Sequence, residues 1–103
     1  MPIFRHLATQ DEAELILKSG SPTHSGTHVS ALKSDEQAAQ IIANCMEDGG
    51  GVTVLLIIET EQSITNNEGT TLRTFTPDKV KSDLVEYKRL YDMGQKVLYD
   101  RLV

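Results

Sequence analysis

Cysteine is almost absent from this chain of 103 residues. Cys45 stands alone, so neither an internal disulfide nor a cysteine cluster for zinc can form. A single thiol suits a reducing compartment. Long apolar runs are lacking too. The longest, VTVLLII at 52–58, is far too short to span a bilayer. The opening MPIFRHLATQDEAE has no apolar core of the length a signal peptide needs. Cytoplasmic residence, in the source cell or in a host, is the resulting expectation, with no membrane contact. Basic residues are outnumbered: Lys and Arg total 10 against 15 Asp and Glu, for a net charge of −5. That balance argues against nucleic acid, whose phosphates call for a basic surface. It leaves open a basic protein partner, or an acidic face that mimics nucleic acid.

What is present reads as one domain (1–103) of the α+β or α/β class. Hydrophobic content of 39% is enough for a single core. PIFRHL alternates as a strand, with Ile3, Arg5 and Leu7 on one face and Phe4 and His6 on the other. Thr9 and Glu12 form a capping box for a helix that buries Ala13, Ile16 and Leu17 and stops at Gly20. After a small-residue loop, THVSAL (27–32) predicts a second strand. Ser34 and Gln37 then cap a helix whose face carries Ala38, Ile41, Ile42 and Cys45. DGGG ends it.

VTVLLIIE (52–59) is apolar on both faces, as in a central strand covered on each side. The polar TEQSIT leads to a turn at NNEG, and TTLRTF (70–75) is the expected hairpin partner of 52–59. Thr76 and Pro77 open a long C-terminal helix. Its stripe runs through Val80, Leu84, Tyr87, Tyr91, Gly94, Leu98 and Leu102, and Gly94 is a point of weakness. The expected order is βαβαββα. The long stripe also raises a homodimer through this helix.

Few residues suggest chemistry. His24 and His28 have HxxxH spacing but lie in a Ser/Gly/Pro loop, so the helical metal-ligand geometry fails and no metal is expected. Ser30, a loop histidine and Asp35 lack the GxSxG elbow of a hydrolase. Cys45 on an apolar helix face reads as core. Tyr87 and Tyr91 read as a packing pair, and the Lys/Asp pairs around them as a solvated face. Glu59 and Glu61 put two carboxylates on one side of a strand end, suited to acid–base work or to a ribose hydroxyl. The bland alternative is a polar hairpin extension.

Three blocks, FRHLATQDEAELILKSG, THVSALKSDEQAAQIIA and GGGVTVLLIIE, resemble the ADP-ribosyltransferase superfamily. The SAL…A…A phrase is similar to the small enzymes that modify rifamycins. The likeness covers roughly the first sixty residues. It implies an NAD-binding sheet. His6, or Arg5 on the opposite face, would hold the NAD ribose and phosphates, and Ser30 would support the NAD-facing strand. A late carboxylate, Glu61 or Glu59, would stabilise an oxocarbenium-like transition state.

The chain departs from that pattern in three ways. Its glutamates end a strand rather than open one, the mid-pattern aromatic is missing, and the length is short for a complete site. Two readings follow. One is an ADP-ribosyltransferase-like protein that binds NAD, with catalysis altered or lost. The other is a non-enzymatic acidic interaction module: an inhibitor, an immunity-type protein or a virus-encoded decoy.

Overall fold

The computed structural model describes residues 2–19 and 29–103. Its elements are β1 (Ile3–Thr9), α1 (Gln10–Ser19), β2 (Val29–Ala31), α2 (Asp35–Glu47), β3 (Val52–Glu59), β4 (Gln62–Asn66) and β5 (Gly69–Thr74). A single 3-10 turn (Pro77–Lys79), β6 (Val80–Ser82) and α3 (Leu84–Leu102) complete the chain. Every strand pair is antiparallel, and the helices pack on the sheets, as an α+β domain requires.

Strand β3 is central, as its two apolar faces demand. It lies between β1 and β6, with Arg5 opposite Ile57, His6 opposite Leu56 and Ile58 opposite Val80. One face sends Leu56 and Ile58 into a core shared with Ala8, Ala13, Ile16, Val29 and Leu72. The other sends Leu55, with Leu7, against Ala38 and Ile42 of α2 and Leu90 of α3. The sheet is thus a wall between two apolar clusters. The alternation of β1 sets which cluster each of its side chains meets.

The second sheet has the order β2-β5-β4, and it corrects the expected pairing of the hairpin. The hairpin at NNEG joins β5 to the polar segment 62–66, not to β3. Both flanks of β3 are already occupied, so β5 pairs instead with β2, Val29 facing Leu72. The C-terminal helix also starts later than Thr76. That residue makes no side-chain cap, and Val80 is buried as a partner of Ile58. Asp83 is the true cap, its carboxylate accepting from the Glu86 amide at 3.0 Å.

Helix ends follow their capping residues. Ser34 Oγ accepts from the Gln37 amide at 3.1 Å, and Gln37 reaches back to the Lys33 amide. At the other end Gly49 adopts φ +72°. Gly49 donates to the Met46 carbonyl and Gly50 to that of Cys45, a Schellman stop. Thr9 Oγ1 accepts from the Glu12 amide at 3.2 Å, but the Glu12 side chain leaves the box for His6.

Gly94 does not break α3, which runs unbroken from Leu84 to Leu102. The buried contacts of α3 are Leu90 and Gly94, while Leu84 and Leu102 of the expected stripe are exposed. Leu17 is likewise exposed, and Cys45 is half-buried rather than fully core. Tyr87 packs against the α2-side core and donates its hydroxyl to the Val52 carbonyl at 3.0 Å.

Candidate functional site

Arg5 and His6 are neighbours on β1, so their side chains leave opposite faces of the sheet. Each meets a different set of partners.

On the α2–α3 face, Arg5 Nη1 donates to Asp35 at 2.8 Å and lies 3.4 Å from Glu86. Arg89 closes the figure, donating to Asp35 at 2.9 Å and to Glu86. Two cations and two carboxylates therefore alternate around a ring that ties β1 to the first turns of α2 and α3. Hydrogen bonds from Arg89 and then Arg5 pull the Asp35 carboxyl from 3.8 down to about 2. Glu86 is lowered by Arg89 in the same way, and Arg89 is raised by Glu86 and Asp35. Acids at helix N-termini also meet the positive end of the helix dipole. With its charge fully countered, Arg5 is committed to holding elements together.

On the other face, His6 is 15% exposed. Its Nδ1 lies 2.8 Å from the Ser30 carbonyl oxygen and its Nε2 lies 2.5 Å from a Glu12 carboxylate oxygen. Both neighbours are acceptors, so only a doubly protonated ring donates to both at once. The Leu32 amide donates to the Arg5 carbonyl at 2.8 Å beside this clip. His6 thus pins β2 and α1 to β1.

Ser30 is adjacent to His6, but through its backbone. Its side chain is exposed and lines a polar hollow of about 230 Å³ with Lys33, Gln37, Glu68, Thr70 and Thr71. Glu59 and Glu61 line a separate hollow of about 280 Å³ with Phe75, Thr76 and Lys79. Neither hollow includes His6 or Arg5. The structure therefore joins His6 to Ser30 and keeps both glutamates in another place. Of the hydrolase grouping, Asp35 is held by Arg5 and Arg89, and the loop histidines lie outside the described residues.

No family model matches this chain, and neither a curated protein nor a solved structure matches it. Function has to be read from the surface itself.

His24 and His28 lie outside the described residues. Among the described residues, no group of three His, Cys, Asp or Glu is placed to hold a metal ion, and no helix is long and apolar enough to cross a membrane. Tyr87 and Tyr91 form a tilted ring pair with centroids 6.0 Å apart, matching a packing role.

Sequence reasoning did not find the groove between α2 and α3. This hollow of about 370 Å³ has Ala39, Met93 and Val97 as its apolar lining and Gln40, Lys96 and Asp100 among its polar residues. A signal was available. Helix α2, DEQAAQIIANCME, holds no basic residue at all. Arg101 of α3 reaches over to Gln40, Asn44 and Glu47, supplying cations that α2 lacks. The contacts of Arg101 thus run between helices, which spacing within a helix does not reveal.

Proposed function

We propose that this protein is a non-catalytic, acidic protein-interaction domain that receives a basic, partly apolar segment at the α2–α3 groove. One observation carries the reading. The side chains best suited to a nucleotide, Arg5 and His6, are held by internal acceptors, whereas the groove is open, with Ala39, Met93 and Val97 as apolar lining and Glu36 and Asp100 beside a single cation, Lys96. Net charge of −5 would steer a basic partner and make association fall with salt. Exposed Val85, Tyr99 and Leu102 on α3, with Val103 just past its end, add apolar surface available to a partner or to a helix-mediated dimer.

The test is capture of the partner by immobilised protein, with Val97→Lys as the comparison. One stoichiometric protein should be retained at low salt, released as salt rises, and lost with Val97→Lys. Retention that ignores both salt and that substitution would sink this reading.

NAD binding is a second reading, and the His6–Ser30 adjacency favours it. In this reading NAD would lie against Ser30 in the hollow that includes Lys33 and Thr71. Saturating NAD should then shift the amide resonances of Ser30, Lys33 and Thr71. An unchanged spectrum removes the NAD reading and leaves the interaction reading standing.

A further inference from the structure

The second sheet ends in β4, which has β5 on one side and no strand on the other among the described residues. Four of its five residues are exposed, Ile64 at 45%. Open edges are ordinarily protected by lysine, proline or a cover. The edge strand β6 carries exposed Lys81, and the free side of β1 is bonded by the Leu32 amide. In contrast, Gln62–Asn66 has neither charge nor proline.

The register defines which backbone groups are free. Asn66 faces Gly69 across the two-residue turn Asn67–Glu68, and such a closing pair is hydrogen-bonded. Pairs alternate from there, so Thr65 and Ser63 turn their N–H and C=O away from β5. The hydroxyls of Thr65 and Thr70 lie 3.0 Å apart, as suits the closer, non-hydrogen-bonded kind of pair.

We propose that a second copy of this chain adds its own β4 to this edge, antiparallel, about a two-fold axis at Ile64. Ser63 then pairs with the partner's Thr65, and Thr65 with the partner's Ser63. Each pair exchanges two hydrogen bonds, about four in all. Ile64 meets the partner's Ile64 on the exposed face, where side chains are closest. The two sheets join as one continuous sheet.

Charge selects both the occupant and the register. Two copies of a chain with net charge −5 repel one another, and this neutral five-residue edge is where contact adds no like charges. Centred on Ile64, the flanking Glu61 falls opposite the partner's Asn67, and Glu68 opposite the partner's Thr60. A slip of one residue sets Glu61 or Glu59 against the partner's Glu68 and puts the free backbone groups out of phase. A slip of two residues sets one of the two free positions against the partner's Asn67 in the turn, or against its Glu61 outside the strand. Only the Ile64-centred register uses both positions within the strand.

This surface is separate from the α2–α3 groove, so either proposal can fail alone. Sedimentation velocity should show mass rising from the 11.4 kDa chain to twice that value as concentration approaches millimolar. Ile64→Asp places two like charges at the axis, and Thr65→Pro removes an outward N–H without touching the β5 ladder. Each should hold the protein monomeric with unchanged far-ultraviolet circular dichroism. In a Cys45→Ala background, Ile64→Cys should self-cross-link under mild oxidation faster than Ser63→Cys or Thr65→Cys. A single-chain mass at every concentration overturns the proposal, as does a dimer that survives Ile64→Asp.

Discussion

Gly94 and Ile42 are in contact with no room between them for a methyl group. A Cβ on Gly94 would stand 2.7 Å from Ile42 Cγ2, 2.9 Å from Ile42 Cβ and 3.3 Å from the Ala39 carbonyl oxygen. The glycine in mid-helix is the crossing point at which α3 approaches α2.

That contact decides the sign of Gly94→Ala. Helix propensity favours alanine by about 1 kcal/mol. Overpacking against Ile42 and the Ala39 backbone costs about 1–3 kcal/mol, so the variant should be the less stable protein in a urea titration. Ile42→Ala removes the nearer obstacle. A double-mutant cycle should therefore show Gly94→Ala costing less in that background. Simple additivity would mean that the close approach is not what makes the glycine necessary.

The charge ring makes a pH-dependent contribution with a definite sign. Asp35 is depressed in the folded chain, from 3.8 to about 2, by hydrogen bonds from Arg89 and Arg5. The unfolded chain therefore takes up the proton first as pH falls. The stabilisation is present well above 3.8, declines as pH falls through that value, and is lost as pH falls through about 2; Glu86, also lowered, adds with the same sign. Asp35→Asn should flatten this limb in a plot of urea midpoint against pH. Because the ring is partly exposed, molar salt should weaken the wild-type dependence as well. An acid limb that is unchanged in Asp35→Asn would show that the ring is not its source.

Much of this architecture was legible because it rests on local chemistry. Ser34 and Gln37 announced α2, VTVLLIIE announced a central strand, and alternation put Arg5 and His6 on opposite faces. Partner choice was not legible. Gln62–Asn66 is polar apart from Ile64, so no apolar period marks it as a strand. Val80 fits a helical stripe and a short strand equally well. Gly94 looked like a weakness because its value lies in Ile42, fifty-two positions away. At the candidate site, alternation sets the face from which His6 leaves β1, but its contact with the Ser30 carbonyl depends on how β2 lies against β1, which no local pattern carries. The pull of Glu12 on His6 was hidden, since the same glutamate fits a capping box.

Ser34→Ala measures how much of α2 depends on its cap. The Ser34 hydroxyl is the acceptor for the Gln37 amide, and its loss should cost about 1 kcal/mol. Ser34→Asp should restore most of it, because aspartate caps as well as serine does. Equal melting temperatures for Ser34→Ala and wild type would place the stability of α2 in its packing alone.

His6 and Ser30 separate a structural clip from a ligand site when they are substituted one at a time. The bond between them uses the His6 ring and the Ser30 carbonyl, not the Ser30 hydroxyl. His6→Ala leaves that carbonyl and the Glu12 carboxylate without their donor, which should cost about 1–3 kcal/mol. Ser30→Ala keeps the carbonyl and trims only an exposed side chain, so its effect should stay within about 0.5 kcal/mol. Urea titrations of the two variants check this asymmetry. An NAD site would behave differently, since Ser30→Ala would then abolish NAD-induced amide shifts while leaving stability intact. Large stability losses in both variants would contradict the clip, because nothing in its geometry calls on the serine hydroxyl.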